Sequence, residues 1–401
     1  MKAAEWCDTS SLGARASRFE ECDLRRVPVR FGKDGETQAE TFFYFLRKIY
    51  LNDGDASFTE RLTVLPAEEI PADFARIDLK LAEHLCQDPC TPNEPEHGSW
   101  TSTPSWTPGD MHSASLYTTF TWDASVADKE YRFQPDIKID ADIYAADGQT
   151  RPILTGYQWS KDYWEDTPDL DQIRCDTKIT NVSAGCVFVN SAPTYIFNGK
   201  KYPQAAAHAW LIQTMAPNHP GSKGYSKPLY YMGNKAQNDR NRGRMCPTGW
   251  AAANGDASAL VDASDALNCD EFAFASTYNS GGMAKSEGGL NPALPVPPTT
   301  QTPNGKFCVQ TFAKQYNSAM HLYNIDGTYA EFGDPTNAPV CGRSAMSGIH
   351  NQESMGNRFA TFMKDMRIMD KDAYWLDTRM TTRAAPTRAR PVARPRPSSA
   401  R

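Results

Sequence analysis

Ile137-Lys138-Ile139-Asp140-Ala141-Asp142-Ile143-Tyr144 is the clearest strand pattern in this chain of 401 residues. Apolar residues alternate with polar ones in it, and a period of two is typical of a β-strand with one buried face. Similar β-rich runs lie on both sides, separated by clusters of Gly, Asp, Asn and Pro: 41–51, 58–65, 116–122 and 153–159. We therefore predict an antiparallel β-rich domain, a sandwich or a meander, over residues 1–165.

The rest of the chain mixes helices with strands and predicts an α+β domain over residues 166–380. A helix is expected from Tyr202-Pro203 through the alanines to Met215, since proline is tolerated in a first helical turn. A second helix is expected where apolar residues recur at helical spacing: Met355, Phe359, Phe362, Met363 and Met366. Short strands are expected near 194–197 and 373–376. The segment at about 287–305 is a Pro-rich insertion loop, and the Arg- and Pro-rich tail, 381–401, is expected to be disordered.

The composition excludes whole classes of protein. Hydrophobic residues make up 40% of the chain and charged residues 22%, which is enough apolar material for real cores and excludes wholesale disorder. No stretch approaches the roughly 18 apolar residues that a membrane span needs. The first 21 residues also contain no apolar core of a signal peptide, so an exported chain would have been trimmed or its start misplaced.

The charge is unevenly distributed. The formal charge is −6, and six arginines without a single acid follow residue 382, so the chain before them carries −12. An acidic body argues against broad electrostatic wrapping of nucleic acid, but it leaves room for a local basic cleft.

Ten cysteines indicate disulfide bonds and an oxidising compartment: Cys7, Cys22, Cys86, Cys90, Cys175, Cys186, Cys246, Cys269, Cys308 and Cys341. The even count and the lack of a Cys-x-x-Cys pair favour disulfides over zinc. Sequential pairing is the simplest of the roughly 945 possible arrangements, and each bridge would close a short loop. We expect a secreted protein; ordinary buried thiols are the alternative for some of these residues.

One segment carries the strongest chemical signal: Cys269-Asp270-Glu271-Phe272-Ala273-Phe274-Ala275-Ser276-Thr277-Tyr278-Asn279-Ser280-Gly281-Gly282. Two adjacent carboxylates, Asp270 and Glu271, stand beside aromatic residues. Partial burial of both acids is tolerable with a cation or hydrogen-bond donors close by. A solvated strand end is the ordinary alternative.

This segment resembles the signature of the NucA/NucB deoxyribonucleases, secreted bacterial nucleases whose motif is Asp-Glu-aromatic, usually followed by Pro, and then Glu-Gly-Gly. Further similarity follows in family order over about residues 170–380: Tyr202-Pro203, His208, Asn218-His219-Pro220, 234–242 and Asn351-Gln352-Glu353-Ser354-Met355-Gly356-Asn357. The resemblance implies a disulfide-braced, ββα-metal-like nuclease domain that holds one divalent ion, with Mg²⁺ or Mn²⁺ suiting its hard oxygen donors best. Two positions depart from the family pattern: Ala273 replaces Pro, and Asn279-Ser280 stand where Glu precedes the double glycine, which puts activity in question.

The resemblance also suggests roles for individual residues. Adjacent strand residues face opposite sides, so Asp270 and Glu271 are not expected to face the cleft together. We expect Asp270 to act as a base or to orient water and Glu271 to bind the metal; the reversed assignment stays open. Asn351 completes the catalytic group and, with Asn357, is expected to bind the metal, with helix capping as the alternative for each.

Other candidates have simpler alternatives. His208 and the basic residues Lys235, Arg240 and Arg242 are expected to contact DNA phosphates, against a packing role for the histidine and a solvated charge run for the others. Glu353 and His350 are lesser candidates, and a surface histidine is the alternative for His350.

The sequence therefore predicts a secreted, metal-dependent, sequence-nonspecific endodeoxyribonuclease. One alternative is a catalytically degenerate extracellular binding protein, which the residues before Gly281 favour. Another is the nuclease toxin of a competition system, with an inhibitor or immunity protein as its partner.

Overall fold

The computed structural model describes residues 12–33, 36–93, 99–151, 157–159, 172–290, 305–317, 319–328 and 339–380. The expected domain boundary at residue 165, most of the Pro-rich insertion and the tail 381–401 lie outside these residues. Two compact units are present. The first contains the described residues up to Tyr195, together with Pro228–Asn234 and Asn357–Trp375. The second contains Ile196–Lys227, Lys235–Gly356 and the described residues from Leu376.

The first fifteen strands all lie before residue 190. They are β1 (Gly13–Ala16), β2 (Glu20–Lys33), β3 (Glu36–Leu51), β4 (Ser57–Pro66), β5 (Phe74–Leu85), β6 (Cys90–Asn93), β7 (Ser99–Trp100), β8 (Ser105–Trp106), β9 (Ala114–Trp122), β10 (Glu130–Phe133), β11 (Asp136–Ala145), β12 (Thr150–Arg151), β13 (Tyr157–Trp159), β14 (Ile173–Asp176) and β15 (Gly185–Phe188). Every pairing recorded among them is antiparallel.

Two of these sheets share one core, as a sandwich requires. One sheet has the order β1-β2-β3-β4-β9-β6, and the other has the order β12-β11-β5-β8. Phe43 and Leu62 of the first sheet belong to the same buried cluster as Ile77 and Ile137 of the second. The alternation predicted for 137–144 is confirmed, since β11 turns its isoleucines into this core.

The later elements include seven more strands and four helices. The strands are β16 (Thr194–Ile196), β17 (Leu229–Tyr230), β18 (Leu267–Phe272), β19 (Val309–Tyr316), β20 (Ala319–Asn324), β21 (Gly342–Ser347) and β22 (Ala373–Asp377). The helices are α1 (Pro203–Met215), α2 (Lys235–Met245), α3 (Trp250–Asn254) and α4 (Gly348–Asp365). The predicted helix at 203–215 and the predicted last strand are confirmed. The helix with the apolar stripe is also present, but it contains a kink at Gly356, whose backbone is not helical.

The sheet of the second unit has the order β18-β21-β19-β20. Its first pair, β18 and β21, is antiparallel over six residue pairs, whereas β19 runs parallel to β21. The chain leaves β21 at Ser347 and enters α4 at Gly348. Strand, strand and helix therefore follow one another in space, with a long insertion between the two strands.

Disulfides brace both units. The bonds Cys86–Cys90 and Cys175–Cys186 lie in the first unit, and Cys246–Cys269 and Cys308–Cys341 lie in the second. Cys22 is disulfide-bonded as well. The four described pairs are those of the sequential arrangement, so this prediction is confirmed for them. Among the described helices, none has the length and apolar character needed to cross a bilayer.

Candidate functional site

The acidic dipeptide lies on β18, in the middle of its pairing with β21. Asp270 is opposite Ser344, and Glu271 is opposite Arg343. Both acids are buried, with 5% and 8% of their surface exposed. Their partners come from different helices, α1 for Asp270 and α2 for Glu271. The expected divergence of the two side chains on a strand is therefore observed.

Asp270 is bound to His208 of α1. The Nδ1 atom of His208 lies 2.7 Å from Oδ2 of Asp270, and the imidazole is completely buried. Its Nε2 atom has no hydrogen-bond partner. A proton on Nδ1 and none on Nε2 suits this environment, because a buried unpaired N–H would cost more than an unpaired lone pair. Because His208 is buried, it cannot make the direct contact with DNA that was expected for it. Its hydrogen bond orients the Asp270 carboxylate instead.

Gly342 allows this close packing. A Cβ atom there would come within 2.7 Å of His208 Nε2 and 2.4 Å of the Ile212 side chain, both on α1. Gly342 lies on β21 opposite Phe272, two residues from Ser344. Glycine is therefore required for α1 to approach the sheet closely enough to place His208 on Asp270.

Glu271 faces α2. Its Oε1 atom lies 3.5 Å from Nε of Arg242, and its Oε2 atom lies 3.4 Å from the sulfur of Cys246. This sulfur is bonded to Cys269 and has no proton to donate, so it receives a hydrogen bond from the carboxyl group or none. Burial, followed by the charge of Asp270, raises the pKa of Glu271 to about 7 against the opposing effect of Arg242.

Asn351 lies on α4, close to the acidic strand. Its Nδ2 donates to the side-chain oxygen of Asn268 at 3.0 Å and to the carbonyl of Cys269 at 3.1 Å. Residues two apart on a strand share a face, so Asn351 contacts the face of β18 that also carries Asp270. The start of α4 is fixed by Asp265, which accepts hydrogen bonds from the backbone of Ile349 and the hydroxyl of Ser347.

Apart from the His208 nitrogen, the side-chain atoms near this strand that could bind a cation are oxygens. Within the described part of the chain no group of three or more His, Cys, Asp and Glu residues could hold a metal ion. Amide oxygens would therefore have to complete any cation site, and both hydrogen bonds recorded for the Asn351 side chain use its nitrogen. A second amide oxygen, Oδ1 of Asn238, is buried without a partner one helical turn before Arg242. Carboxylate and amide oxygens suit a hard divalent cation.

The lesser candidates near α4 have structural partners. Glu353 accepts hydrogen bonds from Lys201 at 2.9 Å and Tyr202 at 3.2 Å. His350 packs edge-on to the Tyr202 ring, its Nδ1 is buried without a partner, and burial lowers its pKa. Asn357 is exposed, follows the kink at Gly356 and belongs to the first unit, whereas Asn351 belongs to the second.

The basic residues lie together on α2, but acids neutralise several of them. Lys235 pairs with Asp239 at 2.6 Å, and Arg242 lies within 4.0 Å of the same carboxylate. Arg240 donates to Gln237. A helix whose cations are this well paired attracts phosphate weakly, so α2 offers less positive potential than its sequence suggested.

Sequence reasoning missed Glu287, which stands before a second double glycine, Gly288-Gly289. The side chain of Glu287 binds both terminal nitrogens of Arg244, at 2.6 and 3.0 Å. Hydrogen bonding from Arg244 is the main cause that lowers the pKa of Glu287 to about 2. The sequence did contain a signal for Glu287, since the Glu-Gly-Gly tripeptide is present seven residues beyond the place where it was expected.

Comparisons with known proteins add no relative. The chain matches no protein-family model, and no curated protein is significantly similar to it.

Proposed function

We propose that this protein is a secreted, metal-dependent, sequence-nonspecific endodeoxyribonuclease whose site is built on β18, β21 and α4. The observation that supports it best is the hydrogen bond from Asn351 to the carbonyl of Cys269, at 3.1 Å, directly beside two buried carboxylates. Strand β18 carries the two acids, and the first turn of α4 carries the amide side chain. Together they offer the oxygen ligands that a hard cation needs.

Asp270 and Asn351 are the residues that would hold the cation, since both face the same side of β18. This reverses the assignment of Glu271 as the first ligand, an alternative that the sequence left open. When bound, a divalent cation would neutralise negative charge on the nonbridging phosphate oxygens. His208 holds the Asp270 carboxylate in one orientation through a single charge-assisted hydrogen bond.

Glu271 faces the other side of the strand, where it contacts Arg242 of α2, and would support the site from there without touching the substrate. The disulfides suit an oxidising compartment and so support secretion.

A plasmid-nicking assay tests the proposal. The unmodified chain should nick supercoiled plasmid with Mg²⁺ or Mn²⁺ and lose that activity in EDTA. Asp270→Asn and Asn351→Ala should each reduce the rate by roughly 100-fold or more, because each removes an oxygen donor. Asp262→Asn is the matched control, since Asp262 is an exposed acid that caps its own turn by accepting from Ser264. Nicking that survives EDTA, or an active Asp270→Asn variant, contradicts the proposal.

One observation favours a degenerate binding protein instead. The carboxylate of the Glu-Gly-Gly tripeptide, Glu287, is held by Arg244 and is not free to act on substrate. No nicking with any divalent cation, combined with retained DNA binding in a filter assay, would support this second candidate. A toxin role is tested separately, by whether a protein encoded beside the chain inhibits nicking.

A further inference from the structure

The loop that follows α1 presents an ordered, exposed aromatic ring. The loop, residues 216–228, is closed at its base by hydrogen bonds from Gly221 N to Lys227 O at 2.7 Å and from Lys227 N to Ser222 O at 3.0 Å. Pro220 is buried below it, and the carbonyl of Gly221 accepts from Leu376 N at 3.0 Å. The loop is therefore attached firmly to the second unit.

Tyr225 lies at the tip of this loop and stacks on His219. The two ring centroids are 3.6 Å apart, and the ring planes differ by 9°. His219 is fixed in turn, because its Nδ1 donates to the carbonyl of Gln213 at 3.0 Å. More than half of Tyr225, 56%, remains exposed. The His219 ring thus holds the Tyr225 ring in a single orientation, and the Tyr225 ring is still exposed to solvent.

Two lysines lie two residues before and two residues after Tyr225 in the sequence. Lys223 and Lys227 are exposed, and no ion pair found among the described residues involves either of them. The cations of α2 differ, since Asp239 and Glu287 neutralise three of them. In a chain whose body carries a large negative charge, this loop is therefore a place where positive charge is not locally cancelled.

We propose that the loop 216–228 binds single-stranded DNA, with an unpaired base stacked on Tyr225 and phosphates contacted by Lys223 and Lys227. Stacking on an aromatic ring accepts any base and therefore gives binding without sequence preference. Inside a duplex, stacking on the neighbouring base pairs covers both faces of a base, so the loop selects unpaired or frayed strands. The choice of DNA over other anionic polymers rests on the proposed nuclease function.

Fluorescence anisotropy with a labelled oligothymidylate tests this inference, using the full chain in EDTA. Chelation keeps the strand intact whether or not the protein is a nuclease, so a failure of loop binding and a failure of the proposed function are separate results. Tyr225→Ala should weaken binding roughly tenfold, whereas Tyr225→Phe should bind like the unmodified chain, because stacking needs the ring and not its hydroxyl. The double variant Lys223→Gln/Lys227→Gln should make the salt dependence shallower by about 1.4 in its logarithmic slope.

Tyr316 provides the matched control. It is similarly exposed, at 53%, lies in the same unit and has a histidine neighbour, His321, but the two rings meet edge-on at 6.4 Å. Tyr316→Ala should leave binding unchanged. An abasic strand of the same length should bind the unmodified chain and Tyr225→Ala equally. The proposal would be overturned if Tyr225→Ala and Tyr316→Ala weakened binding equally, or if Tyr225→Ala did not weaken binding. It would also be overturned if Tyr225→Ala weakened binding of the abasic strand as much as binding of the oligothymidylate.

Discussion

Glu271→Gln should stabilise the protein at alkaline pH and leave its stability almost unchanged at acid pH. The fold raises the pKa of Glu271 from 4.5 to about 7, so it favours the neutral carboxyl group. Below the unfolded pKa both states are protonated, and burial carries no electrostatic penalty. As pH rises through the folded pKa, the buried group ionises, and the penalty approaches about 3 kcal/mol, the free-energy equivalent of this shift. Glutamine has nearly the same shape and no charge to bury.

Urea unfolding at about pH 5 and about pH 8, with EDTA present, measures this difference. Tryptophan fluorescence follows the unfolding, and Trp250, which lies 4.2 Å from the Arg343 guanidinium in the second unit, is one of the nine tryptophans that contribute to it. The stabilisation by Glu271→Gln should grow by about 2 to 3 kcal/mol between the two conditions. A variant that is equally stable relative to the unmodified chain at both pH values would refute the reasoning, since Glu271 would then titrate normally.

Glu287→Gln is the control of opposite sign. The pKa of Glu287 is lowered to about 2, mainly by hydrogen bonding from Arg244, so its ionised form stabilises the fold above the unfolded pKa. That contribution is present at both pH values and is lost as pH falls toward 2. The substitution should therefore destabilise the protein by about 1 kcal/mol at both, after allowance for the partial exposure of the pair.

Three further variants test the fold, two of them beside the candidate site and one in the first unit. Replacing both Cys246 and Cys269 by serine should cost about 3 kcal/mol, because the bond closes a loop across a sequence separation of 23, and a thermal melt against the oxidised chain measures the loss. Gly342→Ala should lower the melting temperature and the nicking rate together, since the new methyl group would displace His208. Glu60→Ala should cost about 3 to 5 kcal/mol at neutral pH, because it removes the carboxylate that the buried Arg47 guanidinium contacts at 2.6 Å. Burial alone would raise the pKa of Glu60, but Arg47 and His84 lower it to about 2. The unmodified chain should therefore lose the stabilisation by ionised Glu60 as pH falls from about 4.5 toward 2. Urea unfolding measures this loss.

Local patterns predicted the elements of this fold well. Strand β11 lies where the alternation indicated, because burial of one face has a period of two that the sequence contains, and helix α1 lies where Pro203 and the alanines indicated. The sequential disulfides were predictable for a similar reason, since short loops close readily. The kink at Gly356 was not predictable, because the apolar stripe continues through it and gives no sign of a change in backbone direction.

The sequence predicted that the two acidic side chains point in different directions, but it did not predict which residues they contact. Strand geometry alone separates Asp270 from Glu271. The contact between Asp270 and His208 joins residues 62 positions apart and depends on α1 approaching Gly342, which is a property of the packed sheet. His208 on its Ala-rich helix looked like a packing residue or a phosphate contact, and neither description includes the carboxylate that it binds.

The two compact units are interleaved along the chain, and buried charge explains why. Arg18 and Arg174 both bind Asp372, each at 2.7 Å, and Arg367 binds Asp176 at 2.6 Å. All five side chains are buried, so separating any of these three pairs would remove a partner from a buried charge and would cost about 3 to 5 kcal/mol. These pairs attach the segment Asn357–Trp375 to the first unit, although in sequence it follows the site residues of the second. A single cut near residue 195 would therefore separate this segment from Arg18, Arg174 and Asp176, and a cut near residue 165 would separate it from Arg18. Activity measured on such a fragment would not describe the site. The nicking and binding experiments require the whole chain.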